Sequence, residues 1–268
     1  MLRTILILLC QLEVRNVSWT GKPEPKAEQI FAQTYPAIHH HFSQFREALI
    51  KRYDQGKFFW ELRSCIYWQE FERSKIFIPA IAQSADYAAD YSGYYGNDKT
   101  NICVTDEVEF ILGILNSKVM WWFIQQTAAS KQGGFYEFKP MYVTQISIPP
   151  ASERDKGTIE TLVSYILHLT TQSLHDPSDK LMLDYFEQLI NALVYELYLP
   201  ADLHAHNLSF APLLQAEALP AIDDIPGDKL AALRAIFQRL YATDHPLRRH
   251  LFLLDTIPTI RIIEGKEA

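Results

Sequence analysis

The chain has 268 residues, 48% apolar and 21% charged, which is enough to bury a sizeable core and too apolar for a disordered chain. No apolar run reaches the ~18–20 residues of a membrane-spanning helix, so no membrane partner is expected. The formal net charge of −7 disfavours a chain that is basic throughout, yet the excess is confined: residues 1–150 carry 15 Lys+Arg against 15 Asp+Glu, and residues 151–268 carry 10 against 17.

In chain order, Ile5-Leu6-Ile7-Leu8-Leu9 follows Arg3 and precedes Gln11-Leu12-Glu13-Val14. With no small-residue cleavage site, Met1 to Cys10 reads as a buried strand of a larger parent protein rather than a signal peptide. Residues 22–27, with Pro23 and Pro25, read as an exposed connector. Pro36 suits a first helical turn, and Ile38, Phe42, Phe45 and Leu49 predict one buried stripe on a helix that Gly56 stops. Lys51 and Arg52 would favour its C-terminal dipole. Residues 57–104 predict a small irregular sheet, in which Pro79 confines the run Ile76-Phe77-Ile78-Pro79 to an edge or a strand end.

Asp106 and Glu109 have the spacing of a capping pair, ahead of a helix over about 107–127 that is apolar nearly all round and therefore central and buried. Gly133-Gly134 marks a turn, and Met141 to Ile148 reads as a strand ending at Pro149-Pro150. Three helices follow: one on Ile159, Leu162, Val163, Ile166 and Leu169; one on Met182, Phe186, Leu189, Leu193 and Leu197; and one on Leu230, Leu233, Phe237 and Leu240. A Pro- and Ala-rich stretch over 200–227 separates the last two. The fold class is α+β: a small irregular mixed sheet with a buried central helix, then a mainly helical C-terminal region. The expected divisions are 1–35 as a lead segment, 36–150 as the α+β domain and 151–268 as the helical region.

No set of catalytic residues emerges. Amino-group methylation of a base needs an Asn/Asp-Pro-Pro-aromatic loop, and the nearest string, Ser147-Ile148-Pro149-Pro150-Ala151, lacks both the amide or acid and the aromatic. A glycine-rich turn for S-adenosylmethionine is also missing. Asp255 with Glu264-Gly265-Lys266 matches a metal-dependent nuclease string on paper, without a visible scaffold. His39-His40-His41 would splay around a helix and cannot all ligate one ion; His204 and His206 read as a surface loop. Cys10, Cys65 and Cys103 are scattered and fit reduced core thiols of a cytoplasmic protein.

The informative residues combine base, amide and aromatic groups near turns: Arg63, Tyr67, Trp68, Arg73 and Lys75; then Tyr94, Tyr95, Asn97, Lys99 and Asn101; then Lys131, Gln132, Phe135, Tyr136 and Lys139 around Gly133-Gly134. Arg and Lys can donate to guanine edges or phosphates, and Asn and Gln can pair bidentately with adenine. Within 40–80 the balance is +2, from seven Lys+Arg and five Asp+Glu, so a local basic face is allowed. The same aromatics also build ordinary cores. Leu112 to Leu115 and Ile146 to Pro149 read as packing, and Asn116-Ser117-Lys118 as fixing a helix or its neighbouring loop. Arg63 and Lys75 stand open between groove contacts and ion pairs with Glu61 or Glu72.

The string Tyr53-Asp54-Gln55-Gly56-Lys57-Phe58-Phe59-Trp60-Glu61-Leu62-Arg63-Ser64-Cys65, continuing through Tyr67-Trp68 and Phe71-Glu72 to Lys75-Ile76-Phe77-Ile78-Pro79, resembles the TaqI-like C-terminal specificity domain of type II, mostly type IIG, restriction–modification enzymes. The resemblance extends through Gly93-Tyr94-Tyr95, Leu112 to Lys118, Gly133 to Lys139 and Tyr142 to Pro149, and Val194 to Tyr198 looks like the helix that follows this domain. Gln132 and Ala80 depart from the family's usual Arg and acid. The resemblance implies a target-recognition domain that docks on duplex DNA and presents an adenine to a methyltransferase domain or subunit, which flips it out of the stack. Arg63, Tyr67, Arg73, Lys75, Tyr95, Asn97, Lys99, Lys131, Gln132, Tyr136 and Lys139 would face the DNA. No cofactor is expected in this chain; S-adenosylmethionine and Mg would belong to methyltransferase and endonuclease domains absent from it. The alternative is a degenerate specificity fragment whose acidic helical half serves as a protein-interaction module for a methyltransferase partner.

Overall fold

Two prolines begin the first helices: Pro25 lies in the first turn of α1 (Glu24–Thr34) and Pro36 in that of α2 (Pro36–Ser43), where a missing N–H costs nothing. The structure, a computed structural model, describes residues 18–61, 67–97, 99–172 and 176–266. The expected strand over Met1 to Cys10, together with Arg63 and Cys65, lies outside them. The chain divides into two units, Met1–Glu72 and Arg73–Ala268.

In the first unit, α1 occupies the stretch expected as a connector, because Ala27 and Phe31, one turn apart, are both buried. The helix predicted from Pro36 breaks at Gln44-Phe45 and restarts as α3 (Arg46–Ile50). The break shifts the helical phase, so Phe45 is 50% exposed while Phe42 is buried. Arg46 makes a two-pronged pair with Glu28 at 2.5 and 2.8 Å, and its guanidinium lies 4.3 Å from the centre of the Phe59 ring. Residues 57–61 are not part of a sheet. Their aromatics form the unit's core: Trp60 stacks between Phe31 at 5.0 Å and Phe58 at 4.7 Å, and Trp19 meets Phe31 edge-on. The buried Glu61 carboxylate accepts from Trp19 Nε1 and from the Phe58 N–H, so its partners are neutral donors, not Lys75. Arg52 donates to the carbonyls of Phe59 and Glu61.

The second unit carries two small antiparallel sheets. β1 (Lys75–Pro79) is central, flanked by β3 (Ala88–Asp90) and β4 (Thr100–Val104); Pro79 stands at its end, where it pairs with Thr100. The other sheet has β6 (Phe135–Glu137) between β2 (Ile81–Ala82) and β5 (Ser130–Lys131). Ala80 joins them: its N–H donates to Lys99 and its carbonyl accepts from Phe138.

The long buried helix is in fact two, α4 (Val108–Leu115) and α5 (Lys118–Thr127). They part at Asn116-Ser117, because Ser117 Oγ caps the second by accepting from Met120 N–H. Asp106 does not cap the first; it pairs with Arg73 instead. The strand expected over Met141 to Ile148 is a short helix, α6 (Pro140–Val143), and an irregular tail. Pro140 starts it, and Thr144 and Gln145 side chains return to the carbonyls of Pro140 and Met141. Ile148 is consequently 37% exposed rather than core.

α7 (Glu153–Thr170), α8 (Pro177–Tyr198) and α11 (Lys229–Leu240) match the three helical stripes. The Pro- and Ala-rich stretch over 200–227 holds α9 (Pro200–Ala205), α10 (Ala211–Ala216) and a 3₁₀ turn. Here α10 starts where the Glu196 carboxylate accepts the N–H groups of Phe210 and Ala211. Two further helices, α12 (Pro246–Leu253) and α13 (Pro258–Ile263), follow. One hydrophobic core contains Ile76 and Ile78 of β1, the buried face of α4, and α7, α8 and α11. Gly113 sets the approach of α4 to α7: a Cβ there would lie 2.7 Å from Ile159 Cγ2 and 3.0 Å from Val163 Cγ2. Both neighbours are β-branched methyls with little freedom to move. Gly113→Val should therefore lower the unfolding free energy by about 1–3 kcal/mol, measured by urea denaturation.

Candidate nucleic-acid interface

The turn after β3 is built on a buried charge pair. Lys75, fully buried, places its ammonium on the Asp90 carboxylate, itself 4% exposed. The same carboxylate accepts the N–H groups of Ser92 at 2.9 Å and Tyr94 at 2.8 Å. Burial pushes the Asp90 carboxyl up, but the hydrogen bonds from Lys75 and the two amides outweigh it and hold the group below its usual range. Lys75 is thus no groove contact. Its side chain is turned inward, and its role is to fix the segment that carries Tyr94 and Tyr95.

The other expected contacts fall in different places. Tyr67 belongs to the first unit, where it is exposed and stacks on Phe71 with ring centres 6.2 Å apart. Arg73 is exposed and bridges to Asp106 at 3.2 Å. Strand register puts it beyond the Lys75 end of β1, opposite the Pro79 end. Tyr95 is half-buried. Asn97 is exposed, yet its carboxamide oxygen accepts from the Lys99 N–H at 2.9 Å. Bidentate pairing with adenine requires that oxygen, so in this pose Asn97 shapes a turn. Asn101 likewise donates to the Phe138 carbonyl.

The remaining residues follow Pro79-Ala80 onto the second sheet, with Lys139 next to Phe138 near Ala80 and with Lys131 and Gln132 at the hairpin tip beyond Gln83. Lys131, Gln132 and Lys139 are exposed, and Lys99 is brought beside this region by the bond from Ala80 N–H to its carbonyl. β5 and β6 form a hairpin whose turn is Gln132-Gly133-Gly134. Gly133 and Gly134 sit at φ +81° and +77°, a region that costs other residues roughly 1–2 kcal/mol each. Gln83 Nε2 donates to the Gly133 carbonyl at 2.7 Å and so pins the turn to the end of β2. Glu137 accepts from Lys131 at 3.1 Å and Lys139 at 2.9 Å. The Lys139 and Lys131 ammonium groups hold its carboxyl below the usual range, and the trio keeps a surplus positive charge. Tyr136 is half-buried with its ring edge-on to Trp121 at 5.4 Å, so it packs the hairpin against α5.

Asp90 and Gln83 position the two turns and were not identified from the sequence, since nothing in a lone Asp or Gln announces a partner many residues away. Asn116 does fix a neighbouring loop: its carboxamide accepts from Tyr87 N–H and donates to Tyr87 O. Lys118 pairs with Glu264.

The family model of the TaqI-like C-terminal specificity domain matches residues 35–148. The match covers less than half of the chain, and those residues are similar to that family. The matched residues take in Phe42 and Phe58 to Trp60 of the first unit's core and both sheets of the second, and they end just before α7. None of the curated proteins matches the chain.

Other candidate chemistry does not assemble. Asp255 and Glu264 do meet, but Lys266 Nζ lies 2.5 Å from one and 2.7 Å from the other, where a divalent cation would have to sit. His39 is engaged with Glu28, and His204 lies on α9 rather than in a loop. Among the described residues no three His, Cys, Asp or Glu side chains are grouped to hold a metal. No described helix is long and apolar enough to cross a membrane. Cys103 is a half-buried free thiol, and burial pushes its pKa up.

Asp90→Ala would leave the buried Lys75 ammonium without its carboxylate and should cost about 3–5 kcal/mol in urea unfolding. Because the folded-state carboxyl sits below its ordinary value, the stabilisation from Asp90 is present above the usual carboxylate range. It is lost as pH falls through the lowered value. Acid titration should therefore narrow the gap between wild type and the variant, while a constant gap would exclude the pair as its source.

Proposed function

We propose that this chain reads a short duplex DNA sequence as the specificity part of a restriction–modification system of the N6-adenine methyltransferase type, including type IIG enzymes. The catalytic methyltransferase and endonuclease functions, with their S-adenosylmethionine and Mg, would reside on a separate domain or subunit acting as partner in the cytoplasm. One observation carries the DNA reading beyond the family match: the hairpin turn Gln132-Gly133-Gly134 is exposed and pinned, with Lys131 and Lys139 beside it. Glycines at the tip let backbone approach a duplex, lysines neutralise phosphates, and a glutamine amide can read an adenine edge.

The roles divide by chemistry. Lys131 and Lys139, both drawn toward Glu137, would contact phosphates and position the hairpin. Gln132, exposed at the tip, would read a base. Lys99, whose backbone carbonyl accepts from the Ala80 N–H, would add a further phosphate contact.

Gel shifts of the chain joined to its methyltransferase test this with specific and random duplexes. Lys131→Ala or Lys139→Ala should weaken all sequences similarly and reduce the salt slope by about 1. Gln132→Ala should cost about 1–3 kcal/mol at one base pair only. No binding at low salt would overturn the reading.

A further inference from the structure

A groove of about 760 Å³ opens in the second unit between β3, the end of α4 and the helices α7 and α8. Gly113, Val163, Ile166, Ile190 and Ala88 are among the residues that line it. No Lys or Arg lines it, whereas Asp86 and Glu187 do. The Glu187 carboxyl is pushed up first by burial and then by the negative charges of Asp184 and Asp86, so carboxylates crowd this wall. A phosphate backbone would be repelled here, and a cation in the groove would relieve the crowding.

The shape points to a polypeptide. β3 is an edge strand of its sheet, and its small residues Ala88 and Ala89 leave the backbone approachable. Edge strands are templates for an added strand. Just ahead of β3 the Asn116 carboxamide both accepts from and donates to the backbone of Tyr87, so an added strand would pair beyond it, at Ala88 and Ala89. The carboxamide makes the exchange a neighbouring strand would make, and Asn116 and Tyr87 both line the groove.

We infer that this groove receives a short extended segment of a partner polypeptide, apolar on the side facing Val163 and Ile190 and carrying a Lys or Arg against Asp86 and Glu187. The inference does not rest on the DNA reading.

The test uses the full chain and two synthetic peptides, one alternating valine with lysine and its counterpart alternating valine with glutamate. Fluorescence anisotropy measures affinity, and amide NMR shifts locate the site. The lysine peptide should bind and shift the amides of Ala88 and Ala89, and the glutamate peptide should not. Asp86→Asn/Glu187→Gln should weaken binding by about tenfold, as expected for removing a charge-complementary rim. Asp224→Asn/Asp244→Asn, which removes as much negative charge outside the groove, should leave binding unchanged. Ala88→Phe, filling an exposed position in the groove, should abolish it. Equal binding of both peptides, binding of neither, shifts elsewhere, or equal loss in the two charge variants would each overturn the inference. Gel shifts on the same variants keep the two readings separate, since neither groove variant touches Lys131, Gln132 or Lys139.

Discussion

An ammonium and a carboxylate removed together from water survive only when each is fully answered, and the Lys75–Asp90 pair meets that condition with two backbone amides as additional donors. The geometry of the second unit follows from this arrangement. Lys75 opens the central strand, Asp90 closes its neighbour, and the strands are held in register where the pair sits. The amides of Ser92 and Tyr94 are drawn to the same carboxylate, so the turn that leaves the sheet has one direction. A groove-facing lysine at position 75 would leave that turn without its anchor.

The sheets rest on helices beyond the specificity domain. α4 is buried against α7 and α8 in one continuous core, with Gly113 permitting the close approach. Polar ties cross the same boundary: Tyr198 donates to the Ser147 carbonyl and Lys118 N–H donates to the Asn191 side chain. The helical region is therefore the support for the second unit's share of the specificity domain. Its acidic composition is compatible with DNA binding, because charge acts over roughly a Debye length, about 8–10 Å in physiological salt. What matters is where the cations lie. Lys131 and Lys139 flank the hairpin, while carboxylates gather at the groove beside β3.

Much of the fold was legible in the sequence wherever burial repeats with a simple period. The stripes on α7, α8 and α11, the buried α4 and the apolar run of β1 are such cases, because a helix or strand that hides one face must space its apolar residues accordingly. The break in the first predicted helix at Phe45 and the helical form of residues 140–143 escaped, since local hydrogen bonds and ring packing overrode the pattern. Turn glycines at 133 and 134 were also legible, from the backbone freedom that only glycine supplies.

By itself, then, the sequence determined the α+β class, the order of its main helices and the set of basic, amide and aromatic side chains available near turns. Only the tertiary structure decided how those side chains are used: Lys75 inward on Asp90, Asn97 in its own turn, Tyr136 against Trp121, and Lys131, Gln132 and Lys139 outward on a hairpin pinned by Gln83. The reason is physical. Periodicity reports which face of an element is buried, but a polar side chain takes its role from whichever partner the fold brings to it, and those partners lie far away in the chain.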